Sequence, residues 1–164
     1  MDYYARRKIS FYGVQRAFAP VSFILREKDG VVTVMGCNDT PEELQVSARV
    51  GYLSFDGQTD RTKKMQICLP ARSRGVVWEE ALPEGDYQKG SYVVDGGETG
   101  PVGMLRKGNL RELQIPQAKV QVLELHKEEN GILATVGSDV YAHGIHLEDA
   151  SFCCSELYFD LLPG

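Results

Sequence analysis

The chain has 164 residues, 43% of them hydrophobic, which is enough apolar surface for one good-sized domain or two small ones. Its 18 basic and 23 acidic residues are interspersed and give a net charge of -5, so no basic face for nucleic acid is expected. The longest apolar runs fall far short of the roughly 20 residues that cross a bilayer, and no signal peptide is predicted. We therefore expect a globular protein that neither enters a membrane nor binds nucleic acid.

The first predicted element is an amphipathic helix over residues 2–18. Its apolar residues recur at spacings of seven, three and four and share one helical face: Tyr4, Phe11, Val14 and Phe18. Pro20 ends the helix. Because the helix lacks a large basic face, we expect this stripe to pack on a protein neighbour and not on a membrane surface.

From residue 21 onward the pattern is that of β-strands. Residues 21–25 and 31–35 flank the turn Lys28-Asp29-Gly30 and predict a hairpin. Asn38-Asp39-Thr40-Pro41 predicts the next turn, since Asn and Asp side chains bond their own backbone. A long strand over residues 44–55, buried on one side at first and on both near its end, returns through Asp56-Gly57 to a strand over residues 61–69. These four strands are predicted to form one meander.

Between residues 70 and 117 the strand signal is weaker and glycines are frequent. Short strands are predicted at residues 75–82, 91–94 and 102–105. The Gly-rich run at residues 95–100 lacks the Lys-Ser/Thr pair of a phosphate-binding loop and is predicted to be a solvent loop. Ile115-Pro116-Gln117 is predicted to be a linker, because a fresh strand pattern begins after Pro116.

The last segment repeats the strand pattern at residues 120–126, 132–136, 140–147 and 157–162. Four strands are too few to close a sandwich. The predicted fold is therefore all-β, with two immunoglobulin-like β-sandwich modules after a short N-terminal helix. The helix occupies residues 1–18, the first sandwich residues 19–115, and a second, truncated sandwich residues 118–164.

The cysteines do not form a recognisable framework. Cys37, Cys68, Cys153 and Cys154 are too few for a disulfide scaffold and lack the spacing of paired C-x-x-C metal knuckles. We expect reduced thiols, which favours a cytoplasmic location. A Cys37–Cys68 bridge between adjacent strands is the geometrical alternative.

The sequence has no recognisable catalytic motif. His143 and His146 would point to opposite faces of a strand and could not share one metal, although a zinc site from His146 and Cys154 is conceivable. The acidic pairs lie in turns or at strand ends: Glu42-Glu43, Glu79-Glu80, and Glu84 with Asp86. No nucleophile elbow is present. We predict no catalytic residue, no metal and no cofactor.

Exposed aromatic rings on a β-sandwich can stack on sugars, and Trp78 is the only tryptophan of the chain. Together with Tyr87 or Tyr92 it forms the candidate carbohydrate-binding set. A partly buried core position is the more common fate of such a Trp.

Several stretches, in this order, resemble glycoside hydrolase family 2 β-mannosidases. The exit from that family's catalytic barrel is similar to Asp2-Tyr3-Tyr4-Ala5-Arg6-Arg7-Lys8 and Val14-Gln15-Arg16-Ala17-Phe18-Ala19-Pro20-Val21. Its next sandwich is similar to Asn38-Asp39-Thr40-Pro41 and Leu53-Ser54-Phe55-Asp56-Gly57. Its last sandwich is similar to Ser138-Asp139-Val140-Tyr141-Ala142 and Tyr158-Phe159-Asp160-Leu161-Leu162-Pro163-Gly164. Residues 70–111 match the family poorly, and family members continue beyond the position of Gly164.

The resemblance implies a parent enzyme that removes terminal β-mannosyl units with retention, using an acid/base Glu and a nucleophile Glu in the barrel. Neither glutamate can be assigned to a position in this chain. The expected role is that of a non-catalytic C-terminal accessory region, whose partner is the catalytic barrel of the parent enzyme or a second subunit. A carbohydrate-binding module is the alternative, with glycan as its ligand, and a free-standing glycosidase is not expected.

Overall fold

The computed structural model describes residues 7–81, 87–147 and 153–164. Within these ranges the chain forms one α-helix, α1 (Ile9–Ala17), and eleven strands. The strands are β1 (Val21–Lys28), β2 (Val31–Asn38), β3 (Leu44–Ser54), β4 (Asp60–Leu69), β5 (Ser73–Ala81), β6 (Gly90–Asp95), β7 (Gly103–Leu105), β8 (Val120–Glu128), β9 (Gly131–Ser138), β10 (Ala142–Ile145) and β11 (Phe159–Leu161). No helix among the described residues is long and apolar enough to span a membrane.

Helix α1 is shorter than the helix predicted over residues 2–18. It begins at Ile9, after an extended Lys8, and ends at Ala17 ahead of Pro20. Tyr4 lies outside the described residues. Phe18 is the capping residue at the C-terminal end.

The first seven strands form two antiparallel sheets, with orders β1-β2-β5 and β4-β3-β6-β7. The prediction of one four-stranded meander is wrong, because β2 and β3 belong to different sheets. The buried side chain of Asn38 at the end of β2 explains the crossing. Its Nδ2 donates to the carbonyl oxygens of Glu42, Leu69 and Pro70, at 2.8, 3.0 and 3.1 Å. These bonds hold the turn after β2 against the end of β4. Strand β3 therefore enters the second sheet and does not pair with β2.

The inner faces of the two sheets share one apolar core, which makes residues 21–105 a β-sandwich. Strand β3 alternates buried and accessible residues up to Arg49 and is buried on both faces from Val50 to Ser54, as its sequence predicted. Both faces are covered there: Val50 packs in the core between the two sheets, and Leu53 on the other side lies near Tyr141 and Leu162 of the last segment. The fully buried members of this core come from five strands: Val21, Phe23, Val34, Val46, Ala48, Val50, Ile67, Leu69 and Val94.

The predicted hairpin between β1 and β2 is confirmed. Lys28 pairs with Val31 across a two-residue turn formed by Asp29 and Gly30. Both turn residues have positive φ values, 52° and 75°. A two-residue turn with positive φ values matches the twist of the flanking strands. Such a turn favours Asp-Gly, because glycine adopts positive φ without a steric cost.

The last segment forms two separate two-stranded sheets, β8-β9 and β10-β11. Residues 114–119, which include the predicted linker, contain no strand. A small apolar cluster joins the first sandwich to the last segment: Phe55, Leu113 and Tyr141 are buried together, with Met104, Ile115 and Leu162 against them. The predicted all-β sandwich class with one short N-terminal helix is confirmed.

Candidate functional site

The three aromatic residues predicted to bind carbohydrate lie in one cluster. Trp78 on β5 and Tyr92 on β6 have ring centroids 6.0 Å apart. Tyr52 on β3 lies 6.1 Å from Tyr92 and 6.2 Å from Tyr87, and it joins all of them into one group. The sequence did not single out Tyr52, which lies in the part of β3 predicted to be buried on both sides.

The cluster is more buried than a typical sugar platform. Tyr92 is 1% exposed, whereas Trp78 and Tyr87 are half-buried. Burial, followed by the nearby Glu80 carboxylate, raises the pKa of Tyr92 far above its usual value. The Lys107 ammonium lies 5.1 Å from the centre of the Tyr87 ring. Any ligand contact would therefore fall on Trp78 and Tyr87, since the Tyr92 ring is enclosed by its neighbours.

A second cluster, which the sequence did not predict, surrounds the carboxylate of Asp160 on β11. Arg106, just after β7, places its Nη1 2.8 Å from Asp160 Oδ2, and Tyr141 donates its hydroxyl to the same oxygen at 2.9 Å. The other oxygen, Oδ1, accepts hydrogen bonds from His143 Nδ1 at 2.7 Å and from the Gly144 amide at 3.0 Å. We call Arg106, Tyr141, His143 and Asp160 the Asp160 cluster.

The Asp160 cluster keeps its acid ionised. Burial alone would raise the pKa of Asp160, but the Gly144 amide, the Arg106 charge and the Tyr141 hydroxyl together outweigh burial and lower it. The pKa of Tyr141 is raised far above its usual value by burial and then by the negative charge of Asp160. A general acid of a glycosidase needs the opposite shift, a carboxyl kept protonated near neutral pH. The shifts are those of a structural ion pair, and the Asp160 cluster connects the segments around β7, β10 and β11.

An open cleft of about 480 Å³ lies beside the Asp160 cluster. Charged and aromatic side chains line it, among them Arg16, Arg106, His143, Glu156 and Tyr158. Both acids in the cleft are ion-paired, Glu156 with Arg16 at 3.1 Å and Asp160 with Arg106 at 2.8 Å.

The histidines and cysteines do not converge on a common site. His143 bonds Asp160, whereas the ring of His146 stacks on Tyr158 with centroids 4.9 Å apart. In the part of the chain that the structure describes, no group of three or more His, Cys, Asp or Glu side chains could hold a metal ion.

The four thiols are free. Cys37 lies on β2 and Cys68 on β4, which belong to different sheets, so the two are not on adjacent strands as the bridge between them required. Cys68 is exposed, whereas Cys37 is half-buried.

Helix α1 packs on the rest of the chain through a face that the predicted stripe does not include. Tyr12 is 5% exposed and its ring lies 5.8 Å from that of Tyr158. Arg16, one turn further on, donates to the carbonyl oxygen of Tyr158 at 2.8 Å. By contrast, Val14 is 55% and Phe18 84% exposed. We call Val14 and Phe18 the exposed helix face, since Phe11, the remaining described residue of the predicted stripe, is half-buried against Tyr12.

These features define a class of protein: a β-sandwich module whose N-terminal helix carries an uncovered apolar face. No family model and no curated protein matches the chain. Among solved structures, it is similar to beta-D-mannosidase from Dictyoglomus thermophilum, with a TM-score of 0.83 and 27% sequence identity. The match covers 99% of this chain and 21% of that chain, so this chain spans about a fifth of that enzyme's length. The resemblance to a β-mannosidase predicted from scattered landmarks is confirmed.

Two of those landmarks contain Tyr141 and Asp160, two of the members of the Asp160 cluster that the sequence reasoning missed. Tyr141 lies in Ser138-Asp139-Val140-Tyr141-Ala142, and Asp160 lies in the stretch that begins at Tyr158. An acid between apolar residues near a strand end is a signal for a buried ion pair, because such an acid needs a partner. Arg106 gave no comparable signal.

Proposed function

We propose that this chain is the non-catalytic C-terminal accessory region of a β-mannosidase-type glycoside hydrolase of family 2. Its sandwich is immunoglobulin-like, and residues 19–115 and 118–164 are its two modules. The exposed helix face packs on the catalytic barrel or on a subunit interface of the parent enzyme. The parent enzyme cleaves terminal β-mannosyl units, and its two catalytic glutamates lie outside this chain.

The observation that carries this proposal is the division of α1 into two faces. Tyr12 and Arg16 attach the helix to the segment around Tyr158, so its position is fixed by the chain itself. Val14 and Phe18 then stand uncovered on a helix that is already anchored. Large apolar side chains grouped on one exposed face mark a protein contact. The likeness to one part of a much longer β-mannosidase makes the rest of such an enzyme the natural partner.

The first test is the reading frame upstream of Met1, where we expect several hundred codons for a barrel with two catalytic glutamates. That polypeptide and this chain are then produced together as separate chains and purified through a tag on the barrel. We expect co-purification of the wild-type chain and of Gly13→Lys, which places a charge at an exposed helix position about 100° around the helix from Val14. Val14→Lys should reduce recovery at least tenfold, because a charge would be buried without a partner.

Two results contradict the proposal: no barrel encoded beside this chain, or equal recovery of Val14→Lys and the wild type. The purified chain alone should also leave a nitrophenyl β-mannoside intact. Turnover that persists through purification would contradict the non-catalytic role.

A carbohydrate-binding module is the second candidate, supported by the partial exposure of Trp78 and Tyr87 in one aromatic cluster. It predicts that mannose or mannan at millimolar concentration changes the fluorescence of the single Trp in a saturable way, and that Tyr87→Ala weakens this response. Phe18→Ala, which changes an aromatic side chain outside the cluster, serves as the matched control. A flat titration of the wild-type chain would argue against this candidate.

A further inference from the structure

The cleft beside the Asp160 cluster contains polar atoms that the fold leaves unused. Asp160 is bonded by Nη1 of Arg106 and by Nδ1 of His143. Within residues 7–81, 87–147 and 153–164, no partner lies within hydrogen-bonding distance of Arg106 Nη2 and Nε or of His143 Nε2. Glu156 bonds Arg16 through Oε1, and its Oε2 has no partner in the same ranges. Because Arg106, His143 and Glu156 all line the cleft, these atoms are available to a ligand.

The unused atoms are a mixture of hydrogen-bond donors and acceptors. The N–H groups of Arg106 only donate, and the ionised carboxylate of Glu156 only accepts. His143 Nε2 accepts as well when Nδ1 carries the proton that is shared with Asp160. The two ion pairs of the cleft, Arg16 with Glu156 and Arg106 with Asp160, cancel in charge, so the cleft does not favour an ionic ligand of either sign. A hydroxyl group both donates and accepts, and it matches this mixed set.

Another part of the cleft lining is apolar and is fixed in place by a close approach of two backbones. It comes from the segment 100–104, in which Val102 is 38% exposed. A Cβ atom at Gly100 would lie 2.6 Å from the carbonyl oxygen of Val21. The glycine thus allows this segment to pack directly on the backbone of β1. The cleft therefore combines an apolar wall with a few polar atoms, as small-molecule sites do.

Tyr158, which also lines the cleft, has a strained backbone that its neighbours hold in place. Its φ is 56°, a value that is rare for a bulky side chain. Its ring contacts those of Tyr12 and His146, with centroids 5.8 and 4.9 Å away, and its carbonyl oxygen accepts a bond from Arg16. Backbone strain persists only where the surroundings over-determine a residue, and it is concentrated at ligand sites. The cleft is therefore a preformed feature of the fold.

We propose that this cleft binds an uncharged sugar. The hydroxyl groups of the sugar bond Arg106, His143 and Glu156, and the C–H face of its ring lies on the wall formed by residues 100–104. The cleft volume of about 480 Å³ falls within the roughly 300–1,000 Å³ of small-ligand sites. The site shares no residue with the aromatic cluster around Trp78, and the inference does not rest on the proposed function, which uses helix α1.

Titration of the purified full chain with mannose, glucose and galactose, followed in proton–nitrogen NMR spectra, tests the proposal. We expect saturable shifts of the amide signals of Val102 and Gly144 with at least one of these hexoses. The binding efficiency usual for small ligands gives a dissociation constant of about 1–10 mM for a single hexose. Acetate and inorganic phosphate at the same concentrations should not produce these shifts, because the cleft has no net charge.

Arg106→Lys separates the two roles of the arginine. Lysine keeps a positive charge beside Asp160 but lacks the planar fork, so the hexose affinity should fall by about tenfold or more. Arg49→Lys is the matched control and should bind like the wild type. Arg49 lies 2.8 Å from Asp60, as Arg106 does from Asp160, and the two arginine side chains are 28% and 27% exposed, but Arg49 does not line the cleft. Glu156→Ala removes an acceptor, should also weaken binding, and decides the test if Arg106→Lys does not fold.

Circular dichroism establishes which variants are folded. The proposal is overturned if none of the three hexoses gives a saturable response with the wild-type chain, or if acetate or phosphate binds the cleft as strongly as the best hexose. Wild-type affinity in a folded Arg106→Lys chain overturns it too. A response that is lost in Tyr87→Ala but kept in Arg106→Lys would place the sugar at the aromatic cluster and also contradict the cleft site. None of these results bears on co-purification with the barrel, which tests the proposed function separately.

Discussion

Asp160 shows how one side chain can connect segments that are distant in sequence. Its two carboxylate oxygens accept bonds from Arg106, Tyr141, His143 and the Gly144 amide. Hydrogen bonds to a charged group contribute about 1.5–3 kcal/mol when well formed, whereas removing one partner of a buried pair leaves the other charge uncompensated. The Asp160 cluster therefore contributes more to the stability of the fold than an ion pair on the surface of the chain does.

We predict that Asp160→Asn lowers the free energy of unfolding by about 2–3 kcal/mol at pH 7, because Arg106 loses its counter-charge in a mostly buried setting. Urea denaturation followed by circular dichroism measures the change. Asp60→Asn is the matched control: Asp60 also lies 2.8 Å from an arginine, Arg49, but its side chain is 47% exposed. An exposed pair of this kind should cost under about 1 kcal/mol. An equal loss of unfolding free energy in Asp160→Asn and Asp60→Asn would contradict a structural role for the Asp160 cluster.

The ion pair of Asp160 with Arg106 also predicts that the stability of the chain depends on pH. The pKa of Asp160 is lower in the folded chain than in the unfolded chain, where it is about 3.9. Its stabilisation is therefore fully present above pH 4–5 and is lost as the pH falls through the folded-state value. The difference in unfolding free energy between the wild type and Asp160→Asn should shrink over that acidic range. A difference that is constant down to pH 3 would contradict the pKa shift.

The strands themselves follow from local sequence patterns, and their pairing does not. Period-two alternation located β3 and β4, and Lys28-Asp29-Gly30 located the first hairpin, because these signals act within a few residues. The assignment of β2 and β3 to different sheets depends on Asn38 reaching Leu69 and Pro70, some 30 residues away. No local pattern contains such a contact.

Asn38→Ala should destabilise the sandwich by about 2–4 kcal/mol, since it leaves carbonyl groups near the end of β4 without donors in a buried setting. Thermal melting monitored by the single Trp gives the change. Asn130→Ala, in the exposed turn between β8 and β9, should change stability by less than about 0.5 kcal/mol. A melting temperature of Asn38→Ala close to that of Asn130→Ala would refute the role given to Asn38.

For the whole chain, the sequence stretches that resemble β-mannosidases, taken in their order, indicated the correct class of relative. Composition alone could not indicate it. They also contained Tyr141 and Asp160, yet they did not reveal that Arg106 completes the cluster, because Arg106 and Asp160 are 54 positions apart. The aromatic residues chosen from the sequence do meet in space, but burial of Tyr92 depends on the packing of β3, β5 and β6 together. Contacts between sheets are the part of this molecule that sequence patterns predict least.

The small cluster around Phe55 has a consequence for the order of events during synthesis. Phe55 belongs to the first half of the chain, but the rings and methyl groups that cover it include Tyr141 and Leu162. A ribosome adds roughly 5–20 residues per second, so Phe55 waits for several seconds before its cover is made. Until then the first sandwich leaves the Phe55 ring without the cover that Tyr141 and Leu162 provide in the finished chain.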